Sequence, residues 1–150
     1  MYIRFLYLAF RIYTFILHPM ITGVRIMLIQ NGQVLLVRHT YLEGWYMPGG
    51  GVKRGESVDE AARRESREEV GTELGEIRLL GVYSNFEDRK NDQNVVFLCT
   101  DFQASLQHDR EIAEARFFPL IALPENMPTG HRRRIEEYAA GVASPAFGRW

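Results

Sequence analysis

The segment Ala62–Thr72, ARRESREEVGT, crowds acid and base onto a stretch that the sequence predicts to be helical. Ser57 opens the helix with Glu60 three residues later, the arrangement of a capping box, and Gly71 stands where a C-cap is expected. On a helical wheel begun at Val58, Ala61 and Ala62 share its face and Val70 lies toward the edge. Glu65 and Glu69 fall on that same face, Glu68 borders it, and Glu60, Arg63 and Arg67 point away. Two carboxylates thus occupy the surface that should pack on a sheet, where an uncompensated ionised carboxylate is strongly unfavourable. Arg64 can pair with Glu68 at i, i+4, yet one arginine does not neutralise three glutamates. Hard oxygen ligands at this spacing match Mg²⁺ or Mn²⁺. A solvated helix laced with ion pairs explains the amount of charge, and does not explain glutamates on the apolar face.

The preceding turn adds a second element. Pro48, Gly49, Gly50 and Gly51 let backbone approach a ligand closely, and the helix N-terminus favours anions. A glycine-rich loop feeding a carboxylate-bearing helix suits phosphate chemistry, with a metal to neutralise charge and lower the pKa of a bound water. A diphosphate, able to bridge metals through both phosphates, is the natural target. Arg38, His39, Tyr41 and Trp45 flank the expected pocket and could hold phosphates and stack a base. Trp45 as core filler and Arg38 as a surface strand charge are equally good readings.

Gly50, Glu56, Arg64, Glu65, Glu68, Glu69 and Gly71 coincide with all seven fixed positions of the Nudix box, G-x5-E-x7-R-E-U-x-E-E-x-G-U, where U is a bulky aliphatic residue. The stretches GWYMPGGG and EARFFPL also resemble Nudix sequences, so the similarity runs from about Val24 to Pro124. Ser66 and Thr72 depart from the pattern at the two U positions, which bears on packing more than on chemistry.

The resemblance implies an α+β Nudix fold, a mixed β-sheet between helices in an α/β/α sandwich. It implies hydrolysis of a nucleoside diphosphate linked to another moiety, with Mg²⁺ or Mn²⁺ as cofactor. Glu65, Glu68 and Glu69 would be the metal-binding and catalytic carboxylates, with the Gly50 carbonyl as a further ligand. Glu56 and Arg64 would hold the loop and helix together through a salt bridge. One box glutamate, or Glu111 or Glu114 from a later loop, would act as base; for those last two a solvated loop is the competing account.

Substrate markers are sparse. Phe86, Glu87, Asp88 and Arg89 stand where some Nudix subfamilies carry a proline for ADP-ribose or a tyrosine for dinucleoside polyphosphates. Two rival functions follow from the same fold. A non-catalytic nucleotide sensor would usually lose box glutamates, which this chain keeps. An isoprenyl diphosphate isomerase would need a catalytic cysteine, and Cys99 sits in an apolar segment that reads as buried strand.

The elements that must position these groups are legible around them. VRIMLIQNGQVLLVRH alternates apolar and polar residues about Asn31-Gly32, a hairpin pattern. EIRLLGVYSNF and QNVVFLCTDFQ read as strands about the charged loop EDRKNDQ, EARFFPL as a short strand and GHRRRIEEYAA as a terminal helix. HRRR at His131–Arg134 could suggest RNA contact, but Glu136 and Glu137 follow and favour a solvated helix face, with 5′-triphosphate RNA kept among the substrates to test. Residues 1–19 form an amphipathic helix with Arg4, Tyr7, Arg11, Thr14 and His18 on one narrow stripe, stopped near Pro19. Its plainer role is packing on the domain or on a second subunit, as in a homodimer; a sharper one is peripheral contact with a membrane surface. Arg4 and Arg11 leave no apolar run near the ~20 residues of a spanning helix. A Nudix domain at 20–141 and an irregular tail at 142–150 complete the organisation.

With 150 residues, 46% hydrophobic and 25% charged, the chain suits one globular domain. A net charge of −1 gives no argument for nucleic acid as a bulk partner. The single cysteine permits no internal disulfide, so a reducing, cytoplasmic setting is the simplest expectation.

Overall fold

Asn31 and Gly32 adopt φ of 52° and 71°, both positive as a two-residue I′ hairpin requires. They join β1 (Met20–Gln30) to β2 (Gln33–His39) with Gln30 opposite Gln33. The computed structural model describes residues 2–17, 20–87 and 91–150. His18, Pro19, Asp88 and Arg89, which enter the expectations above, lie outside the described residues.

The other elements are α1 (Tyr2–Leu17), α2 (Val58–Val70), β3 (Thr72–Leu74), β4 (Ile77–Asn85), β5 (Asn91–Cys99), β6 (Phe102–Ala104), β7 (Ile112–Pro119), α3 (Thr129–Ala139) and β8 (Ala146–Arg149). Six strands form one sheet in the order β7-β2-β1-β5-β4-β8, while β3 and β6 pair separately. The β1–β5 and β4–β8 contacts are parallel and the rest antiparallel, so the sheet is mixed.

Strand alternation divides the core into two layers. Val24, Ile26, Leu28, Leu35 and Val37 face α2, meeting Ala61, Ala62 and Val70. Met27, Ile29, Val34 and Leu36 face the other way, toward Ile135 of α3, Met127 and Trp45. The result is the α/β/α sandwich implied by the sequence. It hangs α2 over the end of β1, where the Pro48–Gly51 turn also pairs with that strand through Val24 N to Gly50 O and Ile26 N to Pro48 O.

Three expectations need correction. The tail after Gly141 is not irregular throughout: β8 pairs in parallel with Gly81–Ser84, and the Trp150 amide donates to Ser84 O at 3.0 Å. Without it β4 would present an unpaired edge. The charged loop is shorter than expected, because Asn91–Gln93 already belong to β5. And the described apolar side chains of α1 are not laid on the domain. Tyr7, half-buried, touches Tyr41 at 5.1 Å between ring centroids, while Phe5, Leu8 and Ile12 are exposed.

The run at 131–134 is also less solvated than a polar helix face. His131 and Arg134 are buried, the Arg134 guanidinium lying 4.0 Å over the Tyr83 ring, and Arg132 donates to Pro124 O.

Candidate active site

α2 begins with a complete capping box, Ser57 accepting from the Glu60 amide while the Glu60 carboxylate accepts from Ser57 N, and it ends at Gly71 in a left-handed conformation. Fixing both ends fixes the helix rotation. Glu69 is thereby buried, Glu65 nearly so, and Glu68 half-exposed at the rim.

The glycine turn receives them. Glu69 Oε2 accepts from the Gly49 amide at 2.8 Å. The Glu65 carboxylate lies against Gly50, where any β-carbon would collide with it. The Gly50 carbonyl accepts from Val24 N at 2.9 Å, and Gly51 O accepts from Arg64 at 3.1 Å. Gly49 has φ of 144° and its α-carbon is pressed on the β1 backbone, so a side chain there is excluded.

Arg64 ties loop to helix. Its Nε and Nη2 donate to the two Glu56 oxygens at 2.7 and 2.9 Å, a bidentate pair, and its Nη1 donates to Glu65 at 2.5 Å and to Glu68 at 3.2 Å. The Arg64 guanidinium holds the Glu56 carboxyl down at about 2, helped by the Lys53 amide, and Glu56 in turn raises the arginine. For the inward glutamates burial dominates instead. It raises Glu65 against the opposing pull of Arg64, and pushes Glu69 up to about 8 despite the Gly49 amide.

Two participants were not singled out from sequence. Arg25 of β1 faces Glu69, Glu65 and Asp92 electrostatically; burial lowers its pKa and those acids oppose the shift. Asp109 reaches the site because its amide donates to Glu68 O at 3.0 Å, folding the β6–β7 loop back across the end of α2. Its charge acts on Glu69, His39 and Tyr41. An arginine in an alternating strand reads as a solvent-facing charge, and nothing in the sequence marked Arg25, in the middle of β1, as facing the glutamates. Asp109 carried no signal beyond being an acid two residues before Glu111.

His39 and Tyr41 lie beside the carboxylates, with ring centroids 5.2 Å apart and Tyr46 5.4 Å from His39. Burial, with Arg25 nearby, lowers His39 to about 4, and burial followed by Glu111 raises Tyr41. Glu111 is held at this rim by its backbone, Thr40 N donating to its carbonyl at 2.8 Å. Arg38, Trp45 and Glu114 are not brought together with the glutamates. Arg38 pairs with Glu114 at 3.1 Å, while Trp45 is core filler against Phe118 with Arg116 stacked on it. Strand alternation puts this group on the α3 face. Cys99 is buried too, its thiol raised by burial and donating to Asp101 O, so it is no nucleophile.

The NUDIX domain matches residues 20–138. The chain belongs to the Nudix family. ADP-ribose pyrophosphatase of Methanocaldococcus jannaschii is 32% identical over 131 residues, 84% of this chain and 76% of that one. RNA pyrophosphohydrolase of Pseudomonas paraeruginosa is 45% identical over 51 residues, 34% of this chain and 32% of that one. The crystal structure of MutT protein from Methanosarcina mazei Go1 has a TM-score of 0.72 at 25% identity, covering 85% of this chain and 99% of its own.

The Nudix carboxylates fit a hard divalent cation by the chemistry of the donor set. Two buried carboxylates pushed toward protonation, with a third at the rim, call for positive charge supplied by oxygen-binding ions. Among the described residues no three His, Cys, Asp or Glu side chains are drawn into a closed metal shell, and oxygens of Glu65, Glu68 and Glu69 accept from Arg64 and the Gly49 amide.

Proposed function

We propose that this Nudix protein is a divalent-metal-dependent pyrophosphohydrolase, cleaving a nucleoside diphosphate linked to another moiety by attack of water at phosphorus. The observation that carries it is the placement of Glu69, buried, and Glu65, nearly so, against the Gly49–Gly50 turn, where their ionised forms require a cation. Nudix enzymes generally use divalent metal ions; held here by Glu65, Glu68 and Glu69, with the Gly50 carbonyl adjoining, Mg²⁺ or Mn²⁺ would neutralise the diphosphate and acidify water.

The chain's own residues do the rest. Glu56 and Arg64 lock the glycine loop to α2, which sets the position of every carboxylate. In this reading Glu65 is the proton acceptor: burial raises its pKa toward the useful range, and Arg64 opposes that rise. Tyr41, half-buried beside the site with His39 buried behind it, offers a ring to a base, and Gly49 to Gly51 allow phosphate oxygens close to backbone. Arg25 adds fixed positive charge at the floor. The name of the Methanocaldococcus relative puts ADP-ribose first among substrates to try, with 5′-triphosphate RNA after it.

A panel of ADP-ribose, nucleotide sugars, dinucleoside polyphosphates, deoxynucleoside triphosphates and 5′-triphosphate RNA, with Mg²⁺ or Mn²⁺, tests the reading. One class should turn over, releasing a nucleoside monophosphate from a free nucleotide or inorganic phosphate or pyrophosphate from the RNA, and Glu69→Gln should reduce that turnover by orders of magnitude. Absence of hydrolysis across the panel with both metals, together with unaltered nucleotide binding, would instead indicate a sensor.

A further inference from the structure

Of the described side chains of α1, Tyr7 alone is half-buried, and the rest, the large apolar ones included, are exposed. Tyr7 rests on Tyr41 at 5.1 Å, with Arg4 and Arg11 along the same stripe. Phe5, Leu6, Leu8, Phe10, Ile12 and Ile16 are all exposed, Phe5 at 66% and Ile16 at 65%. At about 100° per residue these six positions span an arc of about 200°, centred opposite Tyr7.

The width of that arc selects the occupant. A helix from a second copy covers a seam, and even a core-facing stripe spans only a little over about 100°. It would leave near half of this surface in water. A bilayer surface takes up one whole side of a helix lying in its plane. The helix is about 24 Å long at about 1.5 Å per residue. It contains no Asp or Glu to repel anionic headgroups, and its charged residues, Arg4 and Arg11, are both basic. Phe5, Phe10 and Tyr13 are rings of the kind that settle at an acyl–headgroup boundary. Among the described residues no helix is long and apolar enough to cross a membrane, so the helix would lie on the bilayer and not span it.

The geometry points to α1 as a surface anchor for a lipid bilayer bearing anionic headgroups. Its Tyr7 side already touches the domain at Tyr41, next to the carboxylate site. The anchored chain therefore holds that site close to the lipid surface. This holds whether or not the site hydrolyses a diphosphate.

The test is flotation of the full chain with vesicles of phosphatidylcholine and phosphatidylglycerol, alongside a full-chain Leu8→Glu, Ile12→Glu double variant. Both side chains are exposed, so the variant should keep its fold, checked by circular dichroism; Phe10→Ser is the milder second variant. The wild type should float, and the double variant's bound fraction should fall at least roughly tenfold, as expected when two aliphatic contacts with lipid are lost. Wild type that stays with the unbound fraction, or variants that float as well as it does, would overturn the proposal. So would a dimer in solution that the double substitution dissociates while neither form floats, since a second copy would then cover the face.

Discussion

The Glu65 carboxylate lies against the α-carbon of Gly50 so closely that an added β-carbon would stand 2.5 Å from its Oε1. Glycine is required there by the approach of a functional group, with no unusual backbone angle involved. Gly50→Ala should therefore push Glu65 aside while β1 keeps its hydrogen bond to the turn. A loss of about 100-fold in kcat/KM with little change in thermal midpoint is expected. Turnover within a few-fold of wild type would show that the position of Glu65 is unimportant.

Glu69 gives the metal a thermodynamic signature apart from catalysis. Its folded carboxyl sits at about 8 against an ordinary 4.5, so between those values the native state holds a proton that the unfolded chain has released. Stability should accordingly fall as pH rises through that window in chelator. Mg²⁺ binds the ionised form and should raise the thermal midpoint more at pH 8 than at pH 6. Glu69→Gln removes the titration, so both the slope and the pH dependence of the metal shift should shrink. A metal shift that is the same at both pH values in wild type would contradict the assignment.

How far the sequence showed this site depends on the range of the interactions. The hairpin at Asn31-Gly32 and the caps Ser57 and Gly71 are local, and each was legible because one or two residue types satisfy the geometry. The inward turn of Glu65 and Glu69 followed from helical periodicity alone. Arg25 and Asp109 were invisible because their roles depend on β1 meeting the glycine turn and on a loop folding back over Glu68. Such contacts leave no periodic trace. β8 escaped for the same reason, since a four-residue strand paired in parallel with a distant partner has no pattern of its own.

Ser66 replaces the bulky aliphatic residue of the box and is fully buried, and its hydroxyl finds no hydrogen-bond partner among the described residues. A buried, unpaired hydroxyl is a net cost. Ser66→Ala should stabilise by about 1 kcal/mol, raising the midpoint by about 2–4 °C. A lowered midpoint would mean that the hydroxyl is satisfied.

His39 makes the opposite pH contribution to Glu69. Its folded value is about 4 against 6.5, so between them the unfolded chain binds a proton that the native state refuses, and stability rises with pH across that window. His39→Phe keeps a ring between Tyr41 and Tyr46 and removes the titration. Its advantage over wild type should be about 3 kcal/mol greater near pH 4 than at pH 7, read from denaturant midpoints. Parallel pH curves for the two proteins would rule out His39 as the source.

Trp150 connects the tail to the glycine turn through one intermediary. Its ring packs on His131 at 5.0 Å, and His131 Nδ1 accepts from the Met47 amide, immediately before Pro48. Trp150→Ala should cost about 2 kcal/mol from lost packing and about 4–8 °C in midpoint. If the tail also steadies the turn, Trp150→Ala and His131→Ala should be non-additive, with a coupling of about 1 kcal/mol in stability. The matching readout is kcat/KM, which His131→Ala should lower and a second Trp150→Ala should lower little further. Full additivity in both measurements would confine β8 to protecting the edge of β4, with no hold on the site.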